Sequence, residues 1–256
     1  MINRPALALF LLLPLQPVLA RTLEVCVSDV DSPPFSYPDH EGQGLFLLRN
    51  AAIKYGDALR IVIEPRRRCL DNVEHGRYQV LLVAANTPSM LAHYAFPLRD
   101  GQPDPRRSIG AIDNYLIRVK GSAIAWDGRN LTGMTKPILH LSGRRSTADH
   151  LAELGIVTND QASQPEQIAE MLLNGRGEAA VLTEREWRRL QSDPRVGQKL
   201  EAMSPTFQHL DIYCAFNRQF AEAHADYVEK IWNEFPPLRA GSQWDELVKS
   251  LDRGRE

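Results

Sequence analysis

The sequence predicts an α/β protein of two lobes, each a mixed sheet flanked by helices, with a cleft between them. Three observations support this. Strand-length apolar runs alternate with helix-period segments over residues 23–84, and a second strand–helix series follows over residues 137–191. Two long extended stretches, 108–119 and 209–216, join the two series and bring the chain back at its end.

The elements follow in order. Residues 23–28 form a short apolar strand. Residues 44–55 place Leu45, Leu48, Ala51 and Ala52 at helical spacing and stop at Gly56. A strand over 59–63, a helix over 69–74 ended by His75-Gly76, and a continuous apolar strand over 80–84 complete a β-α-β-α-β unit, which favours a parallel sheet. The second series reads as strand 137–141, helices 146–154 and 165–174, strand 179–182 and helix 184–191. Amphipathic helices over 219–234 and 242–251 flank Pro236-Pro237. This layout sets lobe limits of 21–112, 113–210 and 211–256, the last segment returning to the first lobe and carrying the C-terminal helices.

The first twenty residues read as an export signal. Arg4 precedes the apolar run 6–13, and Val18-Leu19-Ala20 is a small-residue cleavage site, so cleavage is expected after Ala20. The run is too short to span a bilayer, and no direct membrane insertion is expected. The expected location is the periplasm, as a monomer of about 236 residues after cleavage. The whole chain carries a net charge of −2, which argues against nucleic acid as a partner. Arginine outnumbers lysine 24 to 6, with a run at Arg66-Arg67-Arg68 and doublets at Arg144-Arg145 and Arg188-Arg189. Solvation, or pairing with an acid such as Asp71, is the ordinary reading of the Arg66 run.

Three cysteines occur, Cys26, Cys69 and Cys214. In an oxidising compartment one disulfide and one spare thiol is the natural arithmetic. Cys26 and Cys69 lie on elements expected to be neighbours and form the preferred pair; three buried free thiols is the alternative left open. No metal-binding spacing is present, and neither a metal nor a cofactor is expected.

Four stretches carry a resemblance: 23–35 with its Pro33-Pro34-Phe35 loop; 70–83, helix to strand; Asn130-Leu131-Thr132-Gly133 with the strand to Leu141 and Gly143; and 173–181 around Asn174-Gly175-Arg176. Together they resemble bacterial extracellular solute-binding protein family 3, the periplasmic receptors of polar amino-acid uptake systems. The resemblance implies a type II periplasmic-binding-protein-like fold, hinge closure on a ligand, and an ABC transporter permease or a membrane sensor as partner. Segments 65–70, 94–104 and 126–128 are similar to exported family-3-like proteins without an assigned ligand.

The family's amino-acid anchors are missing. The Arg that holds a ligand carboxylate corresponds to Met90, and the Asp that holds an α-ammonium corresponds to Thr183. A buried carboxylate without a charged partner is expensive. The segment after Gly143 offers a replacement. Ser146 with Asp149 resembles a capping box, so a helix should begin there, and its N-terminus with Arg144 and Arg145 would suit an anion. The plain alternative is a capped helix with two surface arginines. In the first lobe Phe35 and Tyr37 would form an aromatic wall, or else pack beneath their loop. Ala85, Asn86 and Thr87 would present small or polar groups to the cleft, or form an ordinary strand-to-helix turn.

No catalytic residue is expected. Glu178 and Glu184 are the nearest acid–base candidates and form no pair; His140, His209 and Asp211 fit structural roles better. The sequence therefore points to a non-enzymatic periplasmic solute-binding protein for a small polar ligand, anionic if Arg144 serves it. The alternatives are a degenerate receptor acting through protein partners and a dehydratase-like enzyme on the same fold.

Overall fold

A computed structural model describes residues 20–253 of the chain. The expected export signal lies, up to residue 19, outside the described residues. In the first unit, β1 (Thr22–Ser28), α1 (Gln43–Lys54), β2 (Ala58–Glu64), α2 (Arg66–Glu74) and β3 (Val80–Ala85) follow the expected order. β1 lies between β2 and β3 and is parallel to both, with Val25 opposite Ile61 and Val80. α1 buries Leu45, Leu48, Ala51 and Ala52, and ends where Gly56 takes a φ of +78°. A short α3 (Pro88–His93) and β4 (Tyr94–Ala95) follow. The hairpin of β5 (Leu98–Arg99) and β6 (Gln102–Pro103) comes next.

The chain then enters β7 (Gly110–Val119). The second unit contains the small hairpin β8 (Ala125–Trp126) and β9 (Leu131–Thr132), then β10 (Ile138–Leu141), α4 (Arg145–Glu153), β11 (Thr158–Ala162), α5 (Pro165–Leu173) and β12 (Ala179–Thr183). It continues with α6 (Glu184–Ser192), α7 (Pro194–Gly197) and β13 (Leu200–Ala202). β10 is parallel to both β11 and β12. β14 (Gln208–Asn217) returns the chain, and α8 (Arg218–Ala223), α9 (Ala225–Asn233), α10 (Phe235–Arg239) and α11 (Ser242–Arg253) close it.

The strands run in the order β11-β10-β12-β7-β14-β3-β1-β2, so two parallel units are joined through two antiparallel strands. β7 pairs along its first half with β14 and along its second half with β12; β14 pairs in turn with β3. Asn114 sits at the changeover, opposite both Thr183 and Gln208, and its buried side chain donates to Gln208 Oε1 at 3.3 Å. The crossing between lobes is thus made by β7 and β14 side by side.

Each parallel unit is packed on both faces, as period-2 strands require. Leu23, Val25 and Val27 enter one cluster with α1 and α9 residues, while Cys26 enters another with Cys69, Val73 and Met90. In the second unit Leu139, Ala180 and Leu182 pack to one side and Ile138, Ala179 and Val181 to the other. Cys26 and Cys69 form a disulfide with a Cα separation of 5.5 Å, and Cys214 is a buried free thiol.

Three details differ from expectation. α2 begins at Arg66 rather than residue 69. The helix expected over 219–234 is two, α8 and α9, broken at His224. The polar strand β11 was not foreseen. Among the described residues no helix is long and apolar enough to cross a membrane.

Candidate functional site

β3 and β10 deliver the two lobes' facing loops. β3 ends at Ala85; Asn86 donates its N–H to Asp211 O at 3.4 Å, tying the turn to β14. Thr87 is buried and caps α3, its Oγ1 accepting from the Met90 N–H. Met90 is buried in the apolar cluster behind the turn. From the other lobe, β10 leads through Ser142 and Gly143 (φ +77°) into α4.

The two loops touch. Ser89 Oγ, on α3, donates to Asp149 Oδ2, on α4, at 2.6 Å. This contact explains why the expected capping box is not formed. α4 starts at Arg145 with Arg144 in the N-cap position and no side-chain cap, so Ser146 lies inside the first turn. Asp149 serves the other lobe instead of its own helix end.

Arg144 is engaged. Its guanidinium donates to Glu186 Oε1 on α6. Glu186 also accepts from the Thr183 N–H at 2.9 Å, while Thr183 Oγ1 accepts from the Glu186 N–H at 3.2 Å. Thr183 is therefore the cap of α6, in a capping box legible as Thr183-x-x-Glu186. Glu186 is a site residue that sequence reasoning missed, since only the fold brings it to Arg144.

Arg66 opens α2 and does not pair with Asp71, which lies 3.4 Å from His75 instead. Desolvation leads in lowering the Arg66 pKa to about 10, and the charge of Arg144, from the other lobe, adds to the depression. Tyr94 opposes that depression. Burial, as the main cause, raises its hydroxyl pKa to about 12, against the opposing charges of Arg66 and Arg145. That hydroxyl donates to Leu70 O at 2.9 Å.

The aromatic residues lie deeper. Phe35 is 2% exposed, in the cluster with Leu45 and Ile109, packed where a Cβ on Gly110 would come within 2.5 Å of its ring. It packs beneath its loop rather than forming an open wall. Tyr37 stacks on His40 with ring centroids 3.9 Å apart. Of the acid–base candidates, Glu184 accepts from Arg188 and Glu178 from Thr135, each at 2.6 Å and each at the surface. His140 is buried with Nδ1 donating to Leu141 O at 3.0 Å; His209 pairs with Asp113 at 2.7 Å. Two surface depressions, about 460 and 320 Å³, lie elsewhere, one at Asp104 and Asn233 and one at Gln167 and Asn174.

No family model matches the chain, and no curated protein does either. Solved structures do. The GluR0 ligand-binding core from Nostoc punctiforme, in complex with L-glutamate, is 15% identical and superposes with a TM-score of 0.64 over 90% of this chain and 98% of that one. A histidine kinase sensor domain with similarity to periplasmic binding proteins gives 19% identity and a TM-score of 0.64, covering 91% and 96%. ArgBP from T. maritima, as its P235GK mutant, gives 19% and 0.62, covering 91% and 95%. The fold is that of a two-lobed periplasmic binding protein. At these identities the likeness shows the fold alone.

Proposed function

We propose that the chain is a periplasmic solute-binding protein that closes its two lobes on a small polar ligand and hands it to an ABC transporter permease or reports it to a membrane sensor. The lobes are residues 21–112 with 211–256, and residues 113–210. The observation that carries the reading is the Ser89–Asp149 hydrogen bond between lobes that are also joined by the paired strands β7 and β14. Such a contact belongs to a closed state, and two strands are a slender enough joint to open. The structures it superposes on are named as binding proteins or as a sensor domain, which supports the same reading. Residues 85–87 and 144–146, with Thr183, form or brace the facing loops. No reaction is proposed, because Glu178 and Glu184 are held apart in surface hydrogen bonds.

Small-angle scattering of the mature chain, combined with a thermal-shift screen of amino acids, dicarboxylates, phosphates and amines, tests this. A ligand that raises the melting temperature and reduces the radius of gyration supports it. A radius unchanged by every compound, with no stabilisation, refutes it. The degenerate-receptor reading then gains ground, favoured by the apolar burial of Met90 and by Thr183 serving as a cap.

A further inference from the structure

We propose that Glu186 is a positioning residue for closure: it fastens helix α4, which carries Asp149, to the strands that join the lobes. This rests on the receptor reading above and adds how the second lobe's half of the closing contact is held in place. α4 has little else to hold it. Its first turn has no side-chain cap, and of its nine residues only Thr147 and Leu151 are buried. An uncapped helix end leaves its first N–H groups without partners, and a helix this short is marginal unless it is packed. α6 is seated more firmly. Its Trp187 and Leu190 are buried in the cluster that also holds Ile117 of β7 and Leu182 of β12, and a capping box closes its first turn.

One carboxylate joins the two helices. Oε2 of Glu186 accepts from the Thr183 N–H at 2.9 Å, and Oε1 accepts from the Arg144 guanidinium. The Glu186 side chain is 18% exposed, so this charge-assisted bond is partly shielded from water. Arg144 is the N-cap residue of α4, and its carbonyl accepts from the Ala148 N–H at 3.0 Å. The guanidinium therefore holds the helix by its first turn. Behind Glu186, Thr183 lies opposite Asn114 of β7. Asn114 is buried where the strands change over: its carbonyl accepts from the Phe207 N–H at 2.9 Å, and its side chain donates to Gln208 of β14 at 3.3 Å. An unbroken run of contacts leads from β7 and β14 through Thr183, Glu186 and Arg144 into α4, and from Asp149 to Ser89 of the first lobe.

The consequence is mechanical. Asp149 meets Ser89 each time the lobes close only if α4 turns with β7 as one body. The Glu186–Arg144 bond makes them one body. Without it α4 shifts or frays by itself, and Asp149 loses its fixed place opposite Ser89. The interlobe bond then forms less often, although both of its partners are intact.

The test compares wild type, S89A, E186Q, R144Q and S89A/E186Q without ligand. E186Q keeps a side chain able to close the capping box and removes the charge facing Arg144; R144Q breaks the same bond and leaves α6 untouched. Hydrogen–deuterium exchange is expected to run about fivefold faster across residues 146–153 in both, as loss of a part-exposed charge pair implies, with α6 unchanged in R144Q. By small-angle scattering the radius of gyration is expected to rise in S89A, E186Q and R144Q alike. In S89A/E186Q it should be no larger than in S89A, because Glu186 acts through the bond already lost. Circular dichroism verifies folding. Exchange across 146–153 unchanged in R144Q, a wild-type radius in E186Q, or single effects that add in the double variant overturns the role of Glu186 and leaves the receptor reading standing. A radius unmoved by S89A overturns both, since the closing contact is then not made in solution.

Discussion

Removing the Cys26–Cys69 disulfide is the sharpest perturbation of the first lobe. The bond joins the middle of β1 to the inner face of α2 across 43 residues, and both cysteines are buried. In the chain-entropy account a loop of that length restricts the unfolded state by about 4 kcal/mol. For a chain of this size that corresponds to a fall in Tm of roughly 8–16 °C. The double variant C26A/C69A avoids burying new hydroxyls, so the loss is that of the cross-link and two sulfurs. Differential scanning calorimetry of wild type, of wild type in reductant and of the variant should give two matching low values and one high one. Cys214 does not complicate the result, because burial pushes its thiol pKa far up and makes it a poor exchange partner. A fall below about 3 °C, or three titratable thiols in the unreduced denatured protein, refutes the assignment.

Three further outcomes follow from the packing and charge. S89A removes the interlobe hydrogen bond, worth about 1–3 kcal/mol to closure, and should raise the radius of gyration while leaving Tm within about 2 °C of wild type. F35A opens a cavity beside Ile109 and Gly110 and should cost about 3–5 kcal/mol in urea unfolding, whereas an open cleft residue would cost little. Asp104, which is 3% exposed, is held at a pKa of about 2, first by the Arg106 hydrogen bond. Its folded pKa is below the unfolded value, so the stabilisation is present above about pH 4 and lost as pH falls through 2. The amount is roughly 1–2 kcal/mol after screening at exposed Arg106. A pH 2–6 unfolding series should therefore lose this slope in D104N, and an unchanged slope would contradict the assignment.

The fold was legible where burial dictates residue type. β1 alternates its apolar residues between two cores, and α1 carries its stripe at helical spacing, so period alone identifies both. β11 was not legible, because Thr158–Ala162 is an edge strand with only Ala162 buried. Its place is set by backbone pairing to Ile138–Leu141, and polar side chains carry no trace of that. His224 ends one helix and precedes another without a proline or glycine to announce it. The site was half legible for a related reason. Thr183 and Glu186 show a capping box in the sequence, but the second bond of Glu186, to Arg144, needs two helices brought together. Ser146 and Asp149 had the spacing of a box as well, and the partner that took Asp149 sits on the other lobe.

Those relocated charges decide how such a cleft can work. One charge-assisted hydrogen bond, Ser89 to Asp149, favours closure by about 1–3 kcal/mol. Moving such an equilibrium from one extreme to the other takes about 5.5 kcal/mol of differential affinity. A ligand bound at micromolar strength brings about 8 kcal/mol in total, most of which must then be spent between the lobes rather than on one of them. The Ser89–Asp149 bond alone falls short of that, so on the receptor reading closure is completed by contacts that the ligand makes with both lobes.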